Sequence, residues 1–221
     1  SDNKVGRIVI WICAYRDWAK EIYYEVSKSL DAKLLTSTQE LKNSCHLFNK
    51  DDKIFFLGWS WIIPDTLTQN FQCICLHPSP LPKYRGGSPI QHQIINNEVE
   101  SAVTFFIMNE KIDSGNILFQ KTFSLEGELS EVFNRITHHG IHGLLKIASG
   151  ETSETVQDES KSTFYKRRKR KESEIKHDDF STKTAQEIYN KIRALQDPYP
   201  NAFIVCSDGK KLFLKVADYE K

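Results

Sequence analysis

Residues 75–89 read Cys75-Leu76-His77-Pro78-Ser79-Pro80-Leu81-Pro82-Lys83-Tyr84-Arg85-Gly86-Gly87-Ser88-Pro89, and Glu110-Lys111-Ile112-Asp113-Ser114-Gly115 follows. His77 stands just past an apolar run, and an imidazole titrates close to working pH, so it is the strongest candidate for moving a proton. A satisfied histidine at a strand end is the plain alternative. Asp113 falls in a loop between two apolar runs. A carboxylate beside an imidazole favours its charged form and fixes its tautomer, although Asp-Ser-Gly is also ordinary turn chemistry. Lys83 to Ser88 form a glycine-bearing loop that runs into an expected helix. Exposed N–H groups and the helix dipole favour an anion at such a place, and Arg85 adds a forked donor. Pro78, Pro80 and Pro82 stiffen the chain beside His77, which suits a site held in place.

The elements that would carry these residues alternate. Apolar runs at 7–14, 53–61 and 72–77 read as buried strands. Residues 16–30 read as a helix, with Trp18, Ile22, Val26 and Leu30 four apart. Pro89–Asn96 reads as a helix with Ser88 as its cap. Strands at 103–108 and 117–123 flank Asp113, and Glu131–Ala148 is an amphipathic helix. This order predicts an α/β fold: an open, mostly parallel Rossmann-like sheet with helices on both faces. Ligands in such sheets bind beyond the carboxyl ends of the strands, where His77 lies. The expected division is a first domain over 1–150, a polar linker over 151–162 and a small β-rich module over 163–221. In the module, a helix at 184–195 stops at Pro198-Tyr199-Pro200, and a hairpin surrounds Ser207-Asp208-Gly209. So small a unit must pack on the first domain or on a second subunit, the latter making a homodimer.

The chain has 221 residues and a formal net charge of +1, which argues against broad nucleic-acid or membrane affinity. No apolar run is long enough to span a bilayer. No charged region leads into a long apolar stretch at the N-terminus, so no leader is expected. The five cysteines lack metal or disulfide spacing and read as reduced thiols of a cytoplasmic protein. No cluster has metal-ligand spacing, and His138, His139 and His142 read as surface residues on one helix. The run Lys166-Arg167-Arg168-Lys169-Arg170-Lys171 reads as a solvated surface strand more readily than as an RNA patch. Gly58-Trp59-Ser60-Trp61-Ile62 ends a strand, where two tryptophans either line a flat heteroaromatic pocket or pack the core.

Together, the His, the Pro-x-Tyr-Arg-Gly run and the Asp-x-Gly resemble the formyltransferase family that uses 10-formyltetrahydrofolate. That family carries Asn-x-His, a Leu-Leu-Pro-x-Tyr-Arg-Gly-like run and a loop Asp-x-Gly. The tail from Phe164 through Pro198-Tyr199-Pro200 looks like the C-terminal module of its methionyl-tRNA and nucleotide-amino-sugar branches. The resemblance implies transfer of a formyl group to an amine, with His77 assisting proton transfer and Asp113 supporting it. It implies folate contacts from Gly58, Trp59, Ser60, Trp61 and Ile62 and from Met108, Asn109, Glu110, Lys111 and Ile112. Substrate contacts fall to Ser79, Lys83, Tyr84, Arg85, Gly86, Gly87 and Ser88. The expected acceptor is a nucleotide-linked amino sugar, a small molecule rather than a nucleic acid. Methionyl-tRNA and a non-catalytic, ligand-binding role are the alternatives. The chain departs from the family at Cys75, where an amide would donate to the developing oxyanion. A thiol is a poor donor, and losing one such donor typically costs ~3–4 kcal/mol.

Overall fold

The computed structural model describes residues 7–221; the reading of the N-terminus for a leader, and residues 1–6 of the expected first domain, lie outside them. Short apolar runs become strands because they are too short for helices and are covered on both sides. The first is β1 (Ile10–Cys13), buried throughout. It leads into α1 (Asp17–Val26), which turns Ala19, Ile22 and Val26 to the sheet. Next come β2 (Ala32–Leu35), α2 (Thr38–Ser44), β3 (Lys53–Leu57), α3 (Asp65–Asn70) and β4 (Gln72–His77). Beyond β4 lie the short strand β5 (Arg85–Gly86), α4 (Pro89–Ile95), β6 (Glu100–Ile107), β7 (Ile117–Ser124) and the long helix α5 (Leu129–Ala148). The tail holds β8 (Phe164–Tyr165), α6 (Asp179–Thr182), α7 (Ala185–Ala194), β9 (Ala202–Val205) and β10 (Lys211–Leu214).

The main sheet has the order β2-β1-β3-β4-β6-β7. Pairings from β2 through β4 are parallel, and β6 and β7 then add antiparallel strands. This is the mostly parallel α/β sheet that the sequence predicts. One face carries Ile22, Phe55, Phe105, Ile136 and Leu144, and the other carries Trp11, Phe56, Leu41 and Leu67. Helix α5 can lie close to the first face because it has glycine where it touches. A Cβ on Gly140 would come within 2.6 Å of Ile22 Cδ1, and one on Gly143 within 2.7 Å of Phe105 Cε2.

The tail has its own small core of Ile175, Ile192, Leu195 and Ala202. It packs on the sheet-bearing part of the same chain. Buried Arg193 donates through Nη1 to the carbonyls of Leu125 at 2.6 Å and Gly127 at 3.0 Å. Asn190 donates to Asn97 at 3.1 Å. The polar stretch 151–162 lies along the main body rather than spanning free space: Thr155 and Ile117 exchange two backbone bonds of 2.8 Å, and Gln157 is buried.

Candidate active site

Strand β4 is central, flanked by β3 and β6, and His77 is its last residue. The ring is buried, with Nε2 2.7 Å from the carbonyl oxygen of Tyr84. A carbonyl can only accept, so Nε2 carries the hydrogen. In the neutral ring Nδ1 is therefore bare, and it faces Asp113 Oδ2 at 3.7 Å. That oxygen also accepts the backbone N–H of Gly86 at 2.8 Å. The structure thus brings His77, Asp113 and the glycine loop to one place.

The backbone here is held in costly conformations. Tyr84, Ser88 and Asp113 have φ of 58°, 51° and 52°. Non-glycine residues rarely adopt such angles unless surrounding contacts impose them. Gly86, with φ of 97°, has no room for a Cβ, which would strike the Tyr165 carbonyl. The cause is β8, which pairs in parallel with β5 and lies tight against the loop.

Cys75 borders the same space, its Sγ 3.6 Å from the Leu76 carbonyl. Burial first, and the Asp113 charge second, push the thiol well above its ordinary value. It is a neutral, weak donor and not a thiolate.

These groups open on a cavity of about 350 Å³. Gly58, Trp59 and Ser60 line it from the end of β3, and Gly86, Gly87 and Ser88 from the glycine loop. The other expected residues lie elsewhere. Trp61, Ile62 and Ile112 are exposed, as are Asn109, Glu110 and Lys111, and Met108 packs beside the second core. Ser79 is buried, donating to the Lys83 carbonyl at 2.7 Å, while Lys83 points to solvent. Tyr84 is buried and donates to Glu98 at 2.8 Å. Arg85 departs most from expectation. Its guanidinium is buried and spends its hydrogen bonds on Gln157 and Glu159. An anion at the loop would find that fork already paired. Ser88 makes no side-chain cap; its hydroxyl instead accepts the Arg168 N–H at 3.1 Å.

Several cavity residues escaped the sequence reading: Arg16, Trp18, Gln91, Phe133, Arg167, Arg168 and Tyr199. The basic run is solvated as expected, with only Arg168 half-buried, but it is not a strand, and Arg167 and Arg168 also line the cavity. A Cβ on Gly87 would fall 2.5 Å from Arg167 Cα, so the two backbones are in close contact. Arg168 has a buried Nε with no partner, and burial lowers its pKa from the ordinary value. Arg16 lies over the rings of Tyr15 and Tyr199 at 5.2 and 5.4 Å. The cavity lining therefore carries three arginines, Arg16, Arg167 and Arg168, and one carboxylate, Asp113. Among the described residues, no group of three or more His, Cys, Asp or Glu is placed to hold a metal ion. No helix among them is long and apolar enough to cross a membrane.

Comparison with known proteins agrees with the fold. A methionyl-tRNA formyltransferase of Lysinibacillus sphaericus is 34% identical over 184 residues, covering 79% of this chain and 56% of that protein. The chain spans about half the length of the curated relatives it matches. A methionyl-tRNA formyltransferase structure from Clostridium thermocellum superposes with a TM-score of 0.81 at 26% identity, covering 93% of this chain and 96% of that one. A 4-N formyltransferase from Francisella tularensis shares the fold, with a TM-score of 0.74 at 21% identity and coverage of 97% and 98%. The "Formyl transferase, C-terminal domain" description matches residues 169–221. The "Formyl transferase" description matches residues 16–148, more than half of the sequence, and the chain belongs to that family.

Proposed function

We propose that this chain moves a formyl group from 10-formyltetrahydrofolate to a primary amine, with the aminoacyl end of methionyl-tRNA as the acceptor. The observation that carries the transfer is the His77 ring, whose Nδ1 faces Asp113 at the wall of a cavity. The acceptor rests on eight curated relatives, each a methionyl-tRNA formyltransferase at 32–37% identity. Arg167 and Arg168 in the cavity lining suit a phosphate-bearing substrate. This replaces the amino sugar as the first reading.

The donor fits the far wall. Gly58, Trp59 and Ser60 line the cavity from the end of β3, and Trp59 Nε1 is buried without a partner. These residues would hold the pterin ring. When bound, the folate supplies an activated formyl carbon.

The protein's part is proton movement and charge. His77 takes the proton of the attacking amine at Nδ1 as that amine bonds to the formyl carbon, and the proton then passes to the folate nitrogen whose bond to the formyl carbon breaks. Asp113 favours the resulting imidazolium, and the Nε2 bond to the Tyr84 carbonyl keeps the ring from turning. The backbone N–H groups of Gly86 and Gly87 are already committed, to Asp113 at 2.8 Å and the Tyr165 carbonyl at 2.9 Å. With Cys75 a poor donor, protonated His77 and water are left to meet negative charge on the formyl oxygen.

The near-neutral net charge of +1 favours a second acceptor, a nucleotide-linked amino sugar. One experiment separates the two. Formyl transfer is measured with methionyl-tRNA and with a panel of nucleotide amino sugars across a salt series. Transfer to tRNA that falls steeply with salt, as phosphate contacts release counterions, supports the first reading. Turnover of a sugar nucleotide alone supports the second. No turnover of either overturns formyl transfer to these acceptors.

A further inference from the structure

Gln157 belongs to the polar stretch after α5 and does not line the cavity beside His77, and only 4% of it is exposed. A side-chain amide has two donor hydrogens and one acceptor oxygen, and here every one is used. Nε2 donates to the backbone carbonyls of Asp113 at 2.9 Å and Gly115 at 2.8 Å. Oε1 accepts from Arg85 Nε at 3.2 Å and Nη2 at 2.9 Å. Glu159 holds the other side of that guanidinium at 2.9 and 2.7 Å.

These partners are the two ends of one contact. Asp113 reaches Gly86 N–H with its carboxylate, and Arg85 is the residue before Gly86. Asp113 is at φ of 52°, a left-handed angle that aspartate adopts more readily than most residues but still seldom, and the amide bond to its carbonyl holds it there. A single amide therefore grips the backbone of Asp113 on one side and the chain leading to its carboxylate's partner on the other. We propose that Gln157 is a positioning residue for Asp113: it sets the distance between that carboxylate and His77 without touching substrate. The catalytic half of this assignment rests on the formyl-transfer reading above; the structural half does not.

The test compares the unaltered chain with Gln157→Met, which keeps length and removes every hydrogen bond. Two readouts are taken, with the thermal midpoint as a control for folding. The first is amide hydrogen exchange at Gly86, which Asp113 protects. It should quicken at least tenfold in Gln157→Met, while amides in β3 and β4 stay protected. The second is formyl transfer. kcat should fall about 10- to 100-fold, as for a small misplacement of a catalytic group, with KM for the folate little changed. The same substitution in an Asp113→Asn background should cost almost nothing further. If Gln157→Met does not fold, Gln157→Asn keeps an amide too short to span both pairs and carries the same expectations. Unchanged Gly86 exchange in a folded variant overturns the positioning role whatever the enzyme turns over. So does an equal loss of kcat with and without Asp113. Absence of turnover in the unaltered chain strikes the formyl-transfer reading instead, and the exchange result still decides whether Gln157 holds the loop.

Discussion

His77 gives its Nε2 hydrogen to the carbonyl of Tyr84 at 2.7 Å, so the imidazole meets the cavity through Nδ1. The hydrogen bond fixes which nitrogen is basic, and Asp113 at 3.7 Å faces that nitrogen. The separation is longer than a hydrogen bond. The carboxylate thus acts on charge rather than by sharing a proton in the resting state.

His77→Asn should cut formyl transfer by about 10²- to 10⁴-fold, the range for a lost general base, with the folate still bound. Asp113→Asn should cut it strongly too. The double variant should be little worse than the poorer single one, because the two act as a unit. Steady-state rates of the three proteins, with folate binding measured separately, check this; full additivity would show that the residues work apart.

Cys75→Ala should leave kcat within a few fold of the parent, since a neutral thiol contributes little as donor or nucleophile. Cys75→Asn introduces the family's amide and should raise kcat, by no more than the ~3–4 kcal/mol of one oxyanion donor. A fall in Cys75→Asn would mean that the site is built around the smaller group. Thiol labelling gives a second check: exposed Cys206 should react first, and Cys75 should stay unmodified at neutral pH. Near-complete loss of activity in a folded Cys75→Ala would make the thiol a participant.

Stability should depend on pH through Glu159. Its hydrogen bonds to Arg85 hold the folded-state pKa below its ordinary 4.5. A carboxyl depressed on folding adds stability that is full above its unfolded value and vanishes as pH falls through the folded one. The stability gap between the parent and Glu159→Gln should therefore be constant near neutrality and close below about pH 4.5. Because Glu159 is exposed, the gap itself should be small. Chemical denaturation across a pH series measures it; a gap that widens in acid would contradict the pairing.

The sequence made the strand-borne part of this site readable and hid the part made by long-range pairing. Strand β4 could be bounded to the residue because an apolar run ends at His77 before a proline. Helix α7, expected over 184–195, forms over Ala185–Ala194, opened by Thr184, which accepts the Glu187 N–H at 3.2 Å. By contrast, β2 is a half-exposed edge strand of mixed character, and α2 is a short, largely polar helix, so neither stood out by periodicity. Arg85 looked like a ligand fork because its true partner, Glu159, lies 74 residues away. Gln157 sat in a stretch whose composition reads as turn and linker. Ser88 resembled a cap, yet its left-handed backbone turns the hydroxyl toward Arg168. Arg85 and Ser88 share one origin: the local signal was real, and a distant residue claimed the group first.

The close fit of Gly87 against Arg167 has a consequence for the ancestry of such proteins. Segments 80 residues apart share one wall, so acceptor preference and proton chemistry cannot be inherited as independent parts. A tail exchanged from a relative could seat only where the recipient keeps glycine at 86 and 87 for it to press on.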